Sequence, residues 1–208
     1  FFYPNPLSCD MHYNFNADNT ITRQPWFDCS CCPTNLCRFI ASVPGYIYAQ
    51  KESNLFVNLF ITSKTLLQLQ TKNAVEIAQK TNYPWDGKVS VTVNPAKKTL
   101  FTLNLRIPGW AQNKPVPGDV CRYANPSGEA ISIKVNGKEV TYTMENGYAK
   151  LSREWKRGDV VEYELQMTIH RVEANRNVKD DEGEVALERG PIVYCLEGVD
   201  NPDSYDRF

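Results

Sequence analysis

Four of the chain's seven cysteines, Cys29, Cys31, Cys32 and Cys37, fall within nine residues, while Cys9, Cys121 and Cys195 are scattered. That is not the even, spread-out spacing of a disulfide scaffold. It points instead to a local metal or reactive-thiol site. The chemistry concentrates in Trp26-Phe27-Asp28-Cys29-Ser30-Cys31-Cys32-Pro33-Thr34-Asn35. Pro33 suits the first position of a helix, where its missing N–H is not needed. Cys32 then stands at the N-cap and Cys31 just outside it, where free N–H groups and the positive end of the helix dipole favour a thiolate. Adjacent cysteines do not readily pair with each other, but two thiolates can ligate one soft metal, zinc being the natural candidate at about 2.3 Å. Two such residues do not fill a tetrahedral site, and their spacing is not that of a C-x-x-C knuckle. The residues alone therefore leave two readings open: a zinc-thiolate site, or two inert thiols buried at a helix start. Cys121 and Cys195 read as buried small hydrophobes or bystanders.

The elements that would position this segment change character near residue 45. Residues 1–32 are irregular and rich in Asn, Pro and Asp. From Pro33 to Val43, Leu36, Phe39, Ile40 and Val43 recur at helical spacing and give one apolar face, and Pro44-Gly45 ends it. After Tyr46 the period becomes two. Val89, Val91 and Val93 alternate with Ser90 and Thr92; Phe101, Leu103, Leu105 and Ile107 with Thr102, Asn104 and Arg106; Val161, Tyr163, Leu165 and Met167 with Glu162, Glu164 and Gln166. Such half-buried strands belong in antiparallel sheets with one wet face. Asn136-Gly137 marks a tight hairpin, with further breaks at Asn146-Gly147, Gly158-Asp159 and Gly190-Pro191. The polar, proline-rich stretch between Gly109 and Glu129 reads as a long surface loop. The fold class is mostly β, an antiparallel sandwich or jelly roll behind a short helix.

Composition excludes several functions. With 23 basic against 24 acidic residues, the chain is no phosphate-tracking nucleic-acid binder and no polybasic membrane module. No run is long enough to span a membrane, and no leader peptide is visible. Aromatic residues make up 12% of the chain, which suits packed sheets and also stacking on sugar rings. Trp85 and Trp110 sit in Pro/Gly turns and read as sandwich-corner packing, His12 and His170 as ordinary histidines, and Glu188 with Arg189 as a salt-bridged strand end.

Six segments, in order, carry a resemblance: Phe2-Tyr3-Pro4-Asn5-Pro6-Leu7; Trp26 to Asn35 with Arg38; Tyr83-Pro84-Trp85-Asp86-Gly87; Leu105-Arg106-Ile107-Pro108-Gly109-Trp110; Gly147-Tyr148 with Arg153-Glu154-Trp155 and Gly158-Asp159; and Arg189-Gly190-Pro191-Ile192-Val193-Tyr194. The chain resembles the β-L-arabinofuranosidases of glycoside hydrolase family 127. The resemblance implies an (α/α)6 barrel followed by β-sandwich domains. Residues 1–45 would be the tail of the catalytic barrel, and 46–208 the sandwich region, truncated at its end. It implies a retaining mechanism in which Cys31 is both nucleophile and zinc ligand and Cys32 a second ligand, the role of Cys29 staying open. The remaining ligands, from a Glu-x-Cys element, and the acid/base glutamate would lie upstream of Phe1. Zinc is thus expected in the full-length enzyme, weakly held or absent in this chain, which alone would be inactive. The implied partners are an arabinose-containing oligosaccharide or glycan and the missing barrel; the compartment is unknown from the sequence, with a secreted or periplasmic one favoured. Two other readings compete. Residues 46–208 would form a non-catalytic carbohydrate-binding or accessory module if an exposed row of aromatics lined a sheet face. A structural zinc module would need Cys29, Cys31, Cys32 and Cys37 to converge.

Overall fold

The structure, a computed structural model, describes residues 31–70, 72–128 and 130–195. The chain divides into two compact units, one holding the residues up to Ser42 and those from Cys195 on, the other Val43–Tyr194.

In the first unit the described element is helix α1 (Cys31–Ser42). It starts two residues earlier than the position of Pro33 implies. Pro33 becomes the third helical residue, still within the first turn, where no N–H has an intrahelical partner. The Ser42 hydroxyl donates back to the Arg38 carbonyl at 3.1 Å, and α1 stops there. The anticipated apolar face is only partly covered, Val43 being half-buried. Leu36 is half-buried, but Phe39 and Ile40 are 60% and 59% exposed.

The second unit opens with a single helical turn, α2 (Pro44–Ile47), for which Pro44 is well suited as first residue. The strands follow: β1 (Tyr48–Lys51), β2 (Asn54–Val57), β3 (Ser63–Gln68), β4 (Ala74–Thr81), β5 (Lys88–Pro95), β6 (Thr99–Arg106), β7 (Cys121–Tyr123), β8 (Ile133–Val135), β9 (Lys138–Glu139), β10 (Thr143–Glu145), β11 (Tyr148–Trp155), β12 (Asp159–Glu164), β13 (Ile169–Ala174), β14 (Val185–Arg189) and β15 (Ile192–Tyr194). They form three sheets, in the orders β1-β2-β6-β11-β10, β3-β4-β5-β12-β8-β9 and β15-β14-β13-β7. Pairing is antiparallel except between β2 and β6, which run parallel with Leu55 beside Leu103.

The first two sheets are the sandwich, because their apolar faces share one core. Leu55 and Val57 of β2, Phe101, Leu103 and Leu105 of β6 and Leu151 and Trp155 of β11 cluster with Val75 and Ile77 of β4, Val89, Val91 and Val93 of β5 and Val161 and Tyr163 of β12. Trp155 is fully buried; its indole N–H donates to the Phe101 carbonyl at 3.0 Å and its ring stacks on Phe101 at 5.7 Å. Alternation fails at Asn104, which is buried on the polar side of β6. Its amide is satisfied there by the Leu55 carbonyl at 3.1 Å, so the burial leaves no orphan donor.

Turns hold the sheets in register. Asn136 and Gly137 have φ of 52° and 76°, and Asn146 and Gly147 have 51° and 81°. Positive φ at both central residues matches the twist of two-residue hairpins, and the turns close β8 onto β9 and β10 onto β11. The expected long loop before Glu129 is interrupted. Cys121–Tyr123 forms β7, which pairs with β13 at the edge of the third sheet. A three-residue edge strand offers too little alternation to stand out from a polar loop.

Candidate active site

Cys31 and Cys32 are the first two residues of α1. Their backbone therefore lies where unpartnered N–H groups and the positive end of a three-turn dipole act. Their side chains, with Cys9, Cys29 and His12, lie outside what the structure describes. Cys37 sits farther along α1 and is exposed. At about 100° per residue it is turned roughly 120° from Cys31 and 140° from Cys32 around the helix axis. The described residues hold no group of three or more His, Cys, Asp or Glu side chains able to share a metal. Paired thiols suit zinc in donor chemistry, but they make up half of a tetrahedral set. The described part of the chain does not complete it.

The other residues singled out from sequence go in different directions. Trp110 is buried, as its turn implies, whereas Trp85 is 67% exposed. Its turn is held from behind: Arg189 Nη1 donates to the Trp85 carbonyl at 3.2 Å and Leu165 N–H to the Gly87 carbonyl at 2.9 Å. His170 is an ordinary buried histidine, its ring stacked on Tyr123 at 4.2 Å and its Nδ1 2.8 Å from the Asn125 carbonyl. Glu188 is not a salt-bridged strand end. It is buried opposite His170 and accepts the Tyr123 hydroxyl at 2.8 Å, while Arg189 turns away to Trp85. Burial, with the bond to and charge of Glu188, pushes the Tyr123 phenol well above its usual range. Cys121 is half-buried and Cys195 exposed, so neither is the buried hydrophobe that scattered cysteines usually are.

The sheets were also candidates for holding sugar. A cavity of about 650 Å³ lies over the outer face of the six-stranded sheet. Lys80, Ser90, Glu162 and Lys134 stand in one cross-strand row on its floor. The exposed aromatic residues among those described, Phe39, Tyr46, Trp85 and Tyr194, lie on α1, α2, the β4–β5 turn and β15. They do not form a row on a sheet face.

A two-sheet sandwich with a small third sheet, preceded by a helix opening on paired cysteines, is the architecture of the C-terminal portion of a class of glycoside hydrolases. The fold is similar to that of a family 127 β-arabinofuranosidase, with a TM-score of 0.82 and 44% identity over 96% of this chain and 30% of that one. It is also similar to a β-L-arabinofuranosidase from Geobacillus stearothermophilus T6, with a TM-score of 0.72 and 42% identity over 88% of this chain and 26% of that one. A non-reducing end β-L-arabinofuranosidase of Bifidobacterium longum subsp. longum is 37% identical over 187 residues, 86% of this chain and 25% of that protein. Residues 54–167 match the family model described as "Beta-L-arabinofuranosidase, GH127 middle domain", and residues 169–208 the family 127 C-terminal domain. The chain belongs to glycoside hydrolase family 127. It spans between 25% and 30% of the length of these relatives.

Strand β7, within the middle-domain span, supplies the edge of the sheet built by β13, β14 and β15 of the C-terminal span. The two family domains thus share a sheet, a feature that no local sequence signal announces.

Proposed function

We propose that the protein carrying this chain is a retaining glycoside hydrolase that releases arabinofuranose from β-L-arabinofuranosides, with Cys31 as its nucleophile. The observation that carries the reading is the pair Cys31-Cys32 at the first turn of α1, in a chain of family 127. Cys31 Sγ attacks the anomeric carbon as the bond to the departing oxygen breaks. A carboxylic acid upstream of this chain protonates that oxygen, help commonly worth about 10²–10⁴ in rate. Water then displaces the sulfur while the same carboxylate takes its proton. Two inversions restore the configuration, as in retaining enzymes that use a second carboxylate in place of the thiolate.

The first turn of α1 favours the thiolate over the thiol before any partner arrives. Cys31 and Cys32 would hold zinc together with two ligands from an upstream Glu-x-Cys element, and bound zinc would keep the sulfur deprotonated. The substrate is an arabinose-containing oligosaccharide or glycan, and the acid and missing ligands belong to the catalytic barrel. Residues 1–45 are the end of that barrel in this reading, and 46–208 its sandwich region.

The reading is tested in a protein of the relatives' length. That protein should bind one zinc and hydrolyse an aryl β-L-arabinofuranoside. Cys31→Ser should lower turnover at least about a thousandfold with the fold intact. Wild-type turnover by Cys31→Ser would remove Cys31 from the reaction.

A further inference from the structure

The chain has two Asn-Gly pairs, Asn136-Gly137 and Asn146-Gly147, and each forms the centre of a hairpin turn. Asparagine is among the chemically labile residues. Glycine after it is the most permissive neighbour, because no Cβ shields the backbone nitrogen that can attack the side-chain amide carbon. Type and spacing make the two pairs equal. Their surroundings do not.

Asn136 is locked in place. Its backbone N–H donates to the Val160 carbonyl at 2.8 Å, its Oδ1 accepts the Val160 N–H at 2.9 Å, and its Nδ2 donates to the Asp159 carboxylate at 2.9 Å. Asp159 is itself buried and holds the Lys156 N–H at 2.9 Å, so it cannot follow the amide if the amide swings away. Both ends of the side-chain amide are therefore taken, and the hairpin is tied to the β11–β12 turn. Asn146 is exposed, and its side chain makes no hydrogen bond or ion pair among the described residues. It follows β10, a three-residue edge strand exposed throughout. A hairpin end with so few buried contacts opens at little cost.

We propose that Asn146 is a site of spontaneous deamidation, with water as co-reactant, and that the β11–β12 turn protects Asn136 from the same fate. The Gly147 nitrogen attacks Asn146 Cγ. The new C–N bond forms as the Cγ–Nδ2 bond breaks, and the side-chain nitrogen leaves as ammonia with the proton that Gly147 gives up. Water then opens the cyclic imide. Splitting the Cγ–N bond gives aspartate; splitting the original peptide bond gives isoaspartate, whose main chain runs through Cβ and Cγ and is one methylene longer. The longer link falls in a two-residue turn that fixes the register of β10 on β11. It also adjoins Gly147, whose carbonyl accepts the Ile107 N–H at 2.8 Å, and Tyr148, whose hydroxyl donates to Asn58 at 2.8 Å. Modification would loosen one of the segments that carry the family resemblance, independently of the reaction proposed for Cys31.

The test ages the 208-residue chain at mildly alkaline pH below its melting temperature, beside the same chain held unfolded in guanidinium. Peptide mass spectrometry that separates aspartate from isoaspartate follows both sites until the unfolded chain is half converted at each. Each site's rate in the folded chain is divided by its own rate in the unfolded one, which removes any difference in intrinsic reactivity. That ratio should be larger for Asn146 than for Asn136 by about tenfold or more, the scale set by giving up one hydrogen bond to a carboxylate and one from a backbone N–H. Equal ratios at the two sites, or a larger one at Asn136, overturn the inference.

Discussion

Cys31 and Cys32 differ from the other described cysteines by position: both stand in the first turn of a twelve-residue helix, while Cys37 follows farther along and Cys121 lies on an edge strand. A thiolate at a helix start forms at lower pH and reacts sooner than an ordinary thiol. Limited alkylation across a pH series, read by peptide mass spectrometry, should label Cys31 before Cys121; equal labelling would return Cys31 to the inert thiols. The residue scale also shows where type and spacing mislead. Glu188 beside Arg189 looks like an ion pair, yet neighbours on a strand point to opposite faces, so Glu188 goes inward to Tyr123 and Arg189 outward to Trp85. Tyr163 shows the reverse problem. Its alternation places it correctly in the core, but its hydroxyl is buried without a partner. Burial also raises the phenol far above its usual range. Tyr163→Phe removes that orphan and should stabilise the chain by about 1 kcal/mol in chemical denaturation; destabilisation would mean the hydroxyl has an unseen partner.

Elements were legible where their periodicity ran long. The alternations of β5, β6 and β12 and the Asn136-Gly137 turn specify one face and one register, and the core follows them residue by residue. The short β7 and the parallel β2–β6 pair were not legible, since both depend on partners tens of residues away. Two turns carry measurable stability. A Cβ at Gly87 would run into the Leu165 carbonyl, where backbone meets backbone with no side chain to give way. Gly87→Ala should cost about 1–3 kcal/mol, read as a lowered denaturation midpoint at unchanged slope. At the β11–β12 turn, Asp159 is buried, which by itself raises its pKa. Hydrogen bonds from the Lys156 N–H and the Asn136 amide, both at 2.9 Å, with the charges of Arg153 and Lys156, outweigh burial and carry the carboxyl below its ordinary value. A depressed folded pKa contributes stability in full above the unfolded value of about 3.9, and that contribution is lost as pH falls through the folded value. Thermal melts should show the wild type losing stability below about pH 4. Asp159→Asn should be weaker at neutral pH and lose less over the same acidic interval. Parallel acid limbs in the two proteins would contradict this.

At the scale of the whole molecule, the chain spans between 25% and 30% of the length of its family 127 relatives, and the proposed function assigns the rest of the site to sequence outside it. α1 presents Phe39 and Ile40 to solvent, and no described cluster can close a metal site. An amphipathic stripe and a pair of adjacent cysteines are each half of an interaction. The isolated chain should therefore purify with little or no zinc by elemental analysis and release no arabinose, whereas one zinc per chain with turnover would mean the site is complete here. Membership of family 127 could be recognised from six short segments, but the sheet that its two domains share could not, because β7 and β13 pair from far apart in the sequence. The central claim is that the sugar is carried on Cys31. It is tested most directly by digesting a full-length protein quenched during turnover of a slow β-L-arabinofuranoside and fragmenting the tryptic peptide Gln24–Arg38. The account predicts a pentosyl adduct on the Cys31 sulfur; an adduct on Cys29, on Cys32 or on a carboxylate elsewhere would contradict it.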